Sequence, residues 1–300
     1  MNFLKHLKGK GRESDAPPPA WAPAPESSYK DGLINEAPED EYEGAEEFCS
    51  NFPPDAPRLI PTAALEAMQT LGCRAWGIEH PNTPRFIGRV QRADETKGGA
   101  AVVRVQTLPN CLSVCLLSDM PIVAGLYNAP GKQGAYFELK IHRMDGIISI
   151  GTACRPYPSW RHPGWNRLSA ALHLDDLRKF FEDPNGGRDY HTDNILTRVR
   201  PGDVLGCGYE LVGGRLFFTY NGVPLPPAFT GIYMPKHQYD VFAAIGVEGA
   251  CDFDVNFGGD MFVWKPANEW AWRVEGSVGN IAGPSGEFDD ELPTYEQSRA

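Results

Sequence analysis

The 300-residue chain carries 28 Lys and Arg against 39 Asp and Glu, a formal net charge of −11. It lacks the basic excess with which a general nucleic-acid binder displaces counterions from phosphates. Its 32 Gly, 27 Pro and 11% aromatic residues suit many short strands joined by tight turns and argue against a helix bundle, because Gly supplies positive φ and Pro interrupts helices.

Much of the acidity sits in two runs, residues 36–43 and 287–291, so the middle of the chain is close to neutral. No apolar run approaches the roughly 20 residues needed to cross a bilayer. The start, Met1 to Lys10, shows neither a signal-peptide apolar core nor glycine at the second position for myristoylation. The expectation is a cytoplasmic protein without a membrane span, whose short basic start offers at most weak peripheral contact with endosomal or vacuolar membranes. The seven Cys are scattered and form no CxxC pair. Cys111 and Cys115 have zinc-like spacing but no second Cys/His pair nearby, so buried thiols in a reducing compartment are expected, with no metal and no cofactor.

Along the chain, residues 1–58 combine Pro-rich and acidic stretches with few periodic apolar positions and read as a disordered tail. Within it Pro17-Pro18-Pro19 reads as a spacer, and Trp21 beside it either marks a partner or docks within the chain. Pro61 to Gly72 predicts one short helix, with Thr62 as N-cap, Leu65, Met68 and Leu71 as its stripe, and Gly72 as its stop. The pattern then turns to strands. Residues 102–107 and 136–142 alternate apolar and polar side chains, the period of half-buried antiparallel strands. Residues 147–151 and 204–209 read as core strands, 216–220 runs into the hairpin dipeptide Asn221-Gly222, and 241–246 and 251–258 add two more. Residues 170–181 have helical spacing, yet a pair of short strands around Asp175-Asp176 suits a sandwich better. The fold class is all-β: a bent antiparallel β-sandwich with a short N-terminal helix and disordered termini.

Six segments then fall into order: Tyr136-Phe137-Glu138, Ile148-Ser149-Ile150-Gly151, Pro163-Gly164-Trp165, Gly202 to Cys207, Phe217 to Gly222 and Asn256-Phe257-Gly258. Together they resemble the successive landmarks of SPRY domains, over residues 66–272. The resemblance implies a two-sheet sandwich whose loops at one end bind a partner, with domain limits of about 59–275 and a second disordered acidic tail at 276–300. Arg155 to Arg167 and Val105 to Pro109 look like the fungal SPRY adaptors that bring cargo to WW-domain HECT ubiquitin ligases. Those adaptors carry Pro-x-Tyr ligands, and this chain has Leu292-Pro293-Thr294-Tyr295, an LPxY motif rather than the commoner PPxY. Pro presets an extended conformation at low entropy cost, and a WW groove takes the Pro and Tyr rings. The yeast adaptors of this kind also have an N-terminal membrane span, and none is read here.

The candidate partner-binding residues are Tyr157, Trp160, Arg161 and Trp165, since aromatic and Arg side chains dominate binding hot spots. Trp165 is equally a framework residue. The candidate WW ligand is Leu292, Pro293 and Tyr295. His142, His162, His173, His191 and His237 lack any nucleophile-elbow, zinc or phosphate-loop context, so no enzyme is expected. The reading is an adaptor joining a cargo or partner protein to a WW-domain ligase. The alternatives are a SPRY scaffold of the Ran-binding-protein-M kind and a hydrolase on a lectin-like sandwich, which would need paired carboxylates in a cleft.

Overall fold

A computed structural model describes residues 38–92 and 101–281. The LPxY motif, Pro17-Pro18-Pro19 and Trp21 lie outside the described residues. In chain order the strands are β1 (Gly88–Arg92), β2 (Val103–Thr107), β3 (Val114–Leu117), β4 (Tyr127–Asn128), β5 (Gly134–Met144), β6 (Ile147–Cys154), β7 (Ser169–His173), β8 (Arg178–Phe181), β9 (Arg188–Asp189), β10 (Val204–Glu210), β11 (Arg215–Tyr220), β12 (Val223–Pro224), β13 (Val241–Glu248), β14 (Cys251–Asn256) and β15 (Asn280–Ile281). They build a seven-stranded sheet ordered β1-β2-β14-β5-β10-β11-β12 and a six-stranded sheet ordered β3-β13-β6-β7-β8-β9, with β15 pairing β4 apart from both. Every pairing is antiparallel.

The all-β antiparallel sandwich read from the sequence is the fold observed. Phe137, Leu139 and Ile141 of β5, Leu205 of β10 and Phe253 and Val255 of β14 meet Ile148 and Ile150 of β6 and Ile245 and Val247 of β13 in one core. β2 shows the half-buried alternation its sequence predicts, with Val103, Val105 and Thr107 inside. Its outward Arg104 and Gln106 bond Asp252 of β14, and Asp254 lies 2.7 Å from His142 of β5, so cross-strand polar pairs cover that face. Burial works to raise Asp252, but hydrogen bonds from Arg104 and Gln106 hold it below the usual carboxylate range. β6 is buried at every position because β13 and β7 flank it and both its faces are covered.

The ambiguous stretch 170–181 is a hairpin: β7 and β8 pair Ala170 with Phe181 and Leu172 with Lys179. Asn221 and Gly222 both have positive φ, +49° and +80°, the backbone a two-residue hairpin turn demands. The helix read at residues 62–72 is α2 (Thr62–Leu71), closed by Gly72 at φ +58°. Thr62 is its first residue rather than its cap, since Pro61 precedes the helix and no side chain caps it. Met68 alone of the expected stripe is buried, and Leu71 points to solvent.

One difference matters for function. Within the stretch read as a tail to residue 58, Glu39–Asn51 is a helix of 13 residues, α1. Its mean hydropathy is low because it carries six acids, Glu39, Asp40, Glu41, Glu43, Glu46 and Glu47. What orders it is contact with the sandwich, to which composition is blind.

Candidate protein-interaction site

The loop between β6 and β7 carries all four candidate contact residues of the domain, and most of it folds inward. The Tyr157 hydroxyl donates to the His162 carbonyl at 2.6 Å and accepts from the Asn166 N–H at 3.3 Å, which closes the loop on itself. The Arg161 Nε donates to Asn166 Oδ1 at 3.1 Å, and its guanidinium lies 4.4 Å over the Trp165 ring. Behind them His162 sits 5.2 Å from Trp165 and 5.3 Å from His173, while His173 stacks on Phe180 at 4.0 Å. Desolvation holds His162 well below its ordinary value and lowers His173 to about 4, so both rings are neutral. His173 Nε2 lies 3.1 Å from the Pro163 carbonyl, which makes that nitrogen the donor. Gly164 makes the turn at φ +94°, and a Cβ there would meet the Phe180 Cβ at 2.5 Å, so no other residue fits.

The outer side of this loop is covered by α1. The Trp160 indole donates to the Glu41 carbonyl at 3.2 Å, and Phe48 meets the Trp160 ring edge-on at 5.7 Å. Arg85 pairs with the Glu41 carboxylate at 2.7 Å, and Asn166 Nδ2 donates to Glu46 at 3.0 Å. Arg167 donates to the carbonyls of Cys49 and Phe52 at the helix C-terminus. Ala45 is the one residue of α1 with no exposed surface. Burial lowers the Arg161 pKa, opposed by Tyr157, Glu41 and Glu46 around it.

Elsewhere a cleft of about 220 Å³ is lined by Cys73, Arg74, Trp76, Arg92, Ala101, Val102, Val103, Val255 and Phe257. The only thiol in it is a poor nucleophile, because burial and the Glu275 carboxylate push Cys73 up to about 12. All seven cysteines are free, and among the described residues no three His, Cys, Asp or Glu side chains are grouped to hold a metal. No described helix is long and apolar enough to cross a membrane.

Residues 135–260 match the SPRY domain family. This is a SPRY-domain protein. Protein ssh4 of Sclerotinia sclerotiorum is 31% identical over 250 residues, covering 81% of this chain and 42% of that protein. A SPRY domain-containing protein of Schizosaccharomyces pombe is 35% identical over 169 residues, covering 55% of this chain and 38% of that one. The alignments thus span about two fifths of the length of these relatives. A crystal structure of a human SPRY domain is 23% identical, covers 51% of this chain and 90% of that one, and has a TM-score of 0.41. SPRY domains are protein-interaction modules, and that is the character of this one.

Within the SPRY domain the structure separates the four loop residues. Arg161 is 1% exposed, Tyr157 and Trp165 are 8% exposed, and only Trp160 is half-open. Tyr157 and Trp165 are therefore buried within the folded loop. Trp160 meets a helix of the same chain, and Arg161 lies within electrostatic reach of its Glu41 and Glu46. The residues that sequence reasoning missed are Arg85, Asn166 and Arg167 on the domain and Glu41, Ala45, Glu46 and Phe48 on α1. A signal for α1 was present: Tyr42, Ala45, Phe48 and Phe52 recur at three- and four-residue spacing among the acids.

Proposed function

We propose that the protein is a non-catalytic adaptor, in which the SPRY domain holds a cargo or partner protein and Leu292, Pro293 and Tyr295 recruit a WW-domain HECT ubiquitin ligase. The observation that carries the partner-binding half is the loop face around Trp160 and Arg161, which already seats a helix through an aromatic contact, an ion pair and backbone hydrogen bonds. That is the chemistry of a protein-recognition surface rather than of a small-molecule cleft. The ligase half is supported by an LPxY sequence set among acidic residues, which favour solvation. Tethering raises the effective concentration of ligase near cargo with no chemistry in this chain. The protein works in the cytoplasm, peripheral to endosomal or vacuolar membranes.

The test is a pulldown of the full chain on purified WW domains of a HECT ligase. Wild type should be retained and Tyr295→Ala lost; equal retention refutes ligase recruitment. Proximity labelling in cells adds the second arm: Tyr295→Ala should lose the ligase and keep the cargo.

A further inference from the structure

We propose that the face formed by Arg85, Trp160, Arg161, Asn166 and Arg167 is a docking site for an acidic amphipathic helix of a partner protein, and that α1 is its displaceable occupant in cis. This rests on the reading that the SPRY domain holds a protein partner, and it names the partner's chemistry. Three observations carry it.

First, the contacts are generic to an acidic helix. Arg85 takes a carboxylate, Asn166 takes a second one turn further on, Trp160 takes a backbone carbonyl and an aromatic edge, and Arg167 takes the carbonyls of a helix C-terminus. A small residue, Ala45, is the fully buried position of the helix. With six acids and no base, α1 is charge-complementary to the three arginines beneath it.

Second, α1 is a weak helix on its own. It has no side-chain N-cap and a glycine at position 44, and while Glu39, Asp40 and Glu41 in its first turn suit the helix dipole, no base closes its last turn. Isolated helices of about this length are marginal in water. Release would not disturb the sandwich, because the chain behind α1 is held independently: Asp55 N–H bonds the Arg155 carbonyl, Arg58 N–H bonds Asp240 and Ile60 N–H bonds the Tyr127 hydroxyl. Phe52, Pro53 and Pro54 are left as the hinge.

Third, α1 satisfies the site incompletely. Arg161 is buried, yet its Nη1 has no hydrogen-bond partner among the described residues. A helix presenting a carboxylate to that nitrogen has an advantage over α1, since an unsatisfied buried donor on a charged group is costly.

The experiment titrates the full chain with a fluorescein-labelled peptide of residues 38–52 and reads anisotropy. In wild type the tethered α1 competes, so binding is weak. Ala45→Arg, which drives a charged side chain into the fully buried position, should free the face and raise peptide affinity at least tenfold. Gly44→Ala should weaken peptide binding about fivefold, because nothing lies within 4 Å of the added Cβ and the better helix former holds α1 in place. A peptide with its acids changed to Lys should bind none of the three. Should Ala45→Arg fail to fold, Gly44→Pro breaks α1 without touching the sandwich and is expected to give the same gain.

No gain in affinity for a folded opening variant, or hydrogen exchange of α1 amides as slow as that of β13, overturns the proposal by making α1 an integral element. So does a wild-type dimer in sedimentation that Ala45→Arg dissolves, which would make a second copy the occupant. WW-domain retention is unaffected by Ala45→Arg, so loss of ligase recruitment and loss of helix docking are read separately.

Discussion

Acidification should loosen the sandwich beneath the candidate loop, and His173 supplies a definite share of the effect. The ring is buried between His162, Trp165 and Phe180, with the Pro163 carbonyl as its one hydrogen-bond partner and no carboxylate in contact. Its pKa falls from 6.5 to about 4 because burial penalises the charged form. The unfolded chain therefore takes up a proton between those values and the folded chain does not. Stability is fully present above about pH 6.5 and declines as pH falls toward 4. At about 1.4 kcal/mol per pH unit, lowering the pH from about 7.5 to about 5 costs about 2 kcal/mol through His173.

Carboxylates also titrate on the way, so the useful quantity is a difference. His173→Gln keeps an N–H donor for the Pro163 carbonyl and removes the titration. Urea unfolding followed by Trp fluorescence at both pH values should show the wild type losing about 2 kcal/mol more than the variant. His162 is held low chiefly by burial, so it stays neutral in both proteins over this range and cancels from the difference. Equal losses in the two proteins would refute the assignment of a buried neutral ring.

Two further predictions follow from the loop. Gly164→Ala combines a φ of +94° with a 2.5 Å approach to Phe180 and should destabilise by about 2–4 kcal/mol; an unchanged Tm would refute the requirement for glycine. Trp165→Ala should lower stability by about 3–5 kcal/mol as a core truncation, whereas Trp160→Ala should leave the unfolding midpoint nearly unmoved and make α1 sensitive to limited proteolysis. The reverse order would refute the division into framework and contact residues.

The strands were legible because their signals are local. Alternation in β2, the Asn221-Gly222 turn and the helix stop at Gly72 each depend on residues adjacent in the chain. Even the helical spacing of residues 170–181 gave way to a hairpin, because its pairing partner β6 already supplied a sheet to join. The candidate site was legible only in part. Aromatic and Arg content marked the correct loop, but which side chains face inward depends on Gly164 turning Trp165 toward the histidines and on Asn166 drawing Arg161 down beside it.

What the amino-acid sequence by itself determined is the all-β sandwich, the order of its SPRY landmarks and the position of the loop, since strand period, turn chemistry and motif order are written along the chain. Only the tertiary structure decided that Tyr157, Arg161 and Trp165 are buried, and that an acidic segment 119 residues before Trp160 folds as a helix across it. The physical reason is that α1 has little helical stability of its own: its order comes from Arg85, Trp160, Asn166 and Arg167, residues distant in sequence that become a surface only when the sheets have formed.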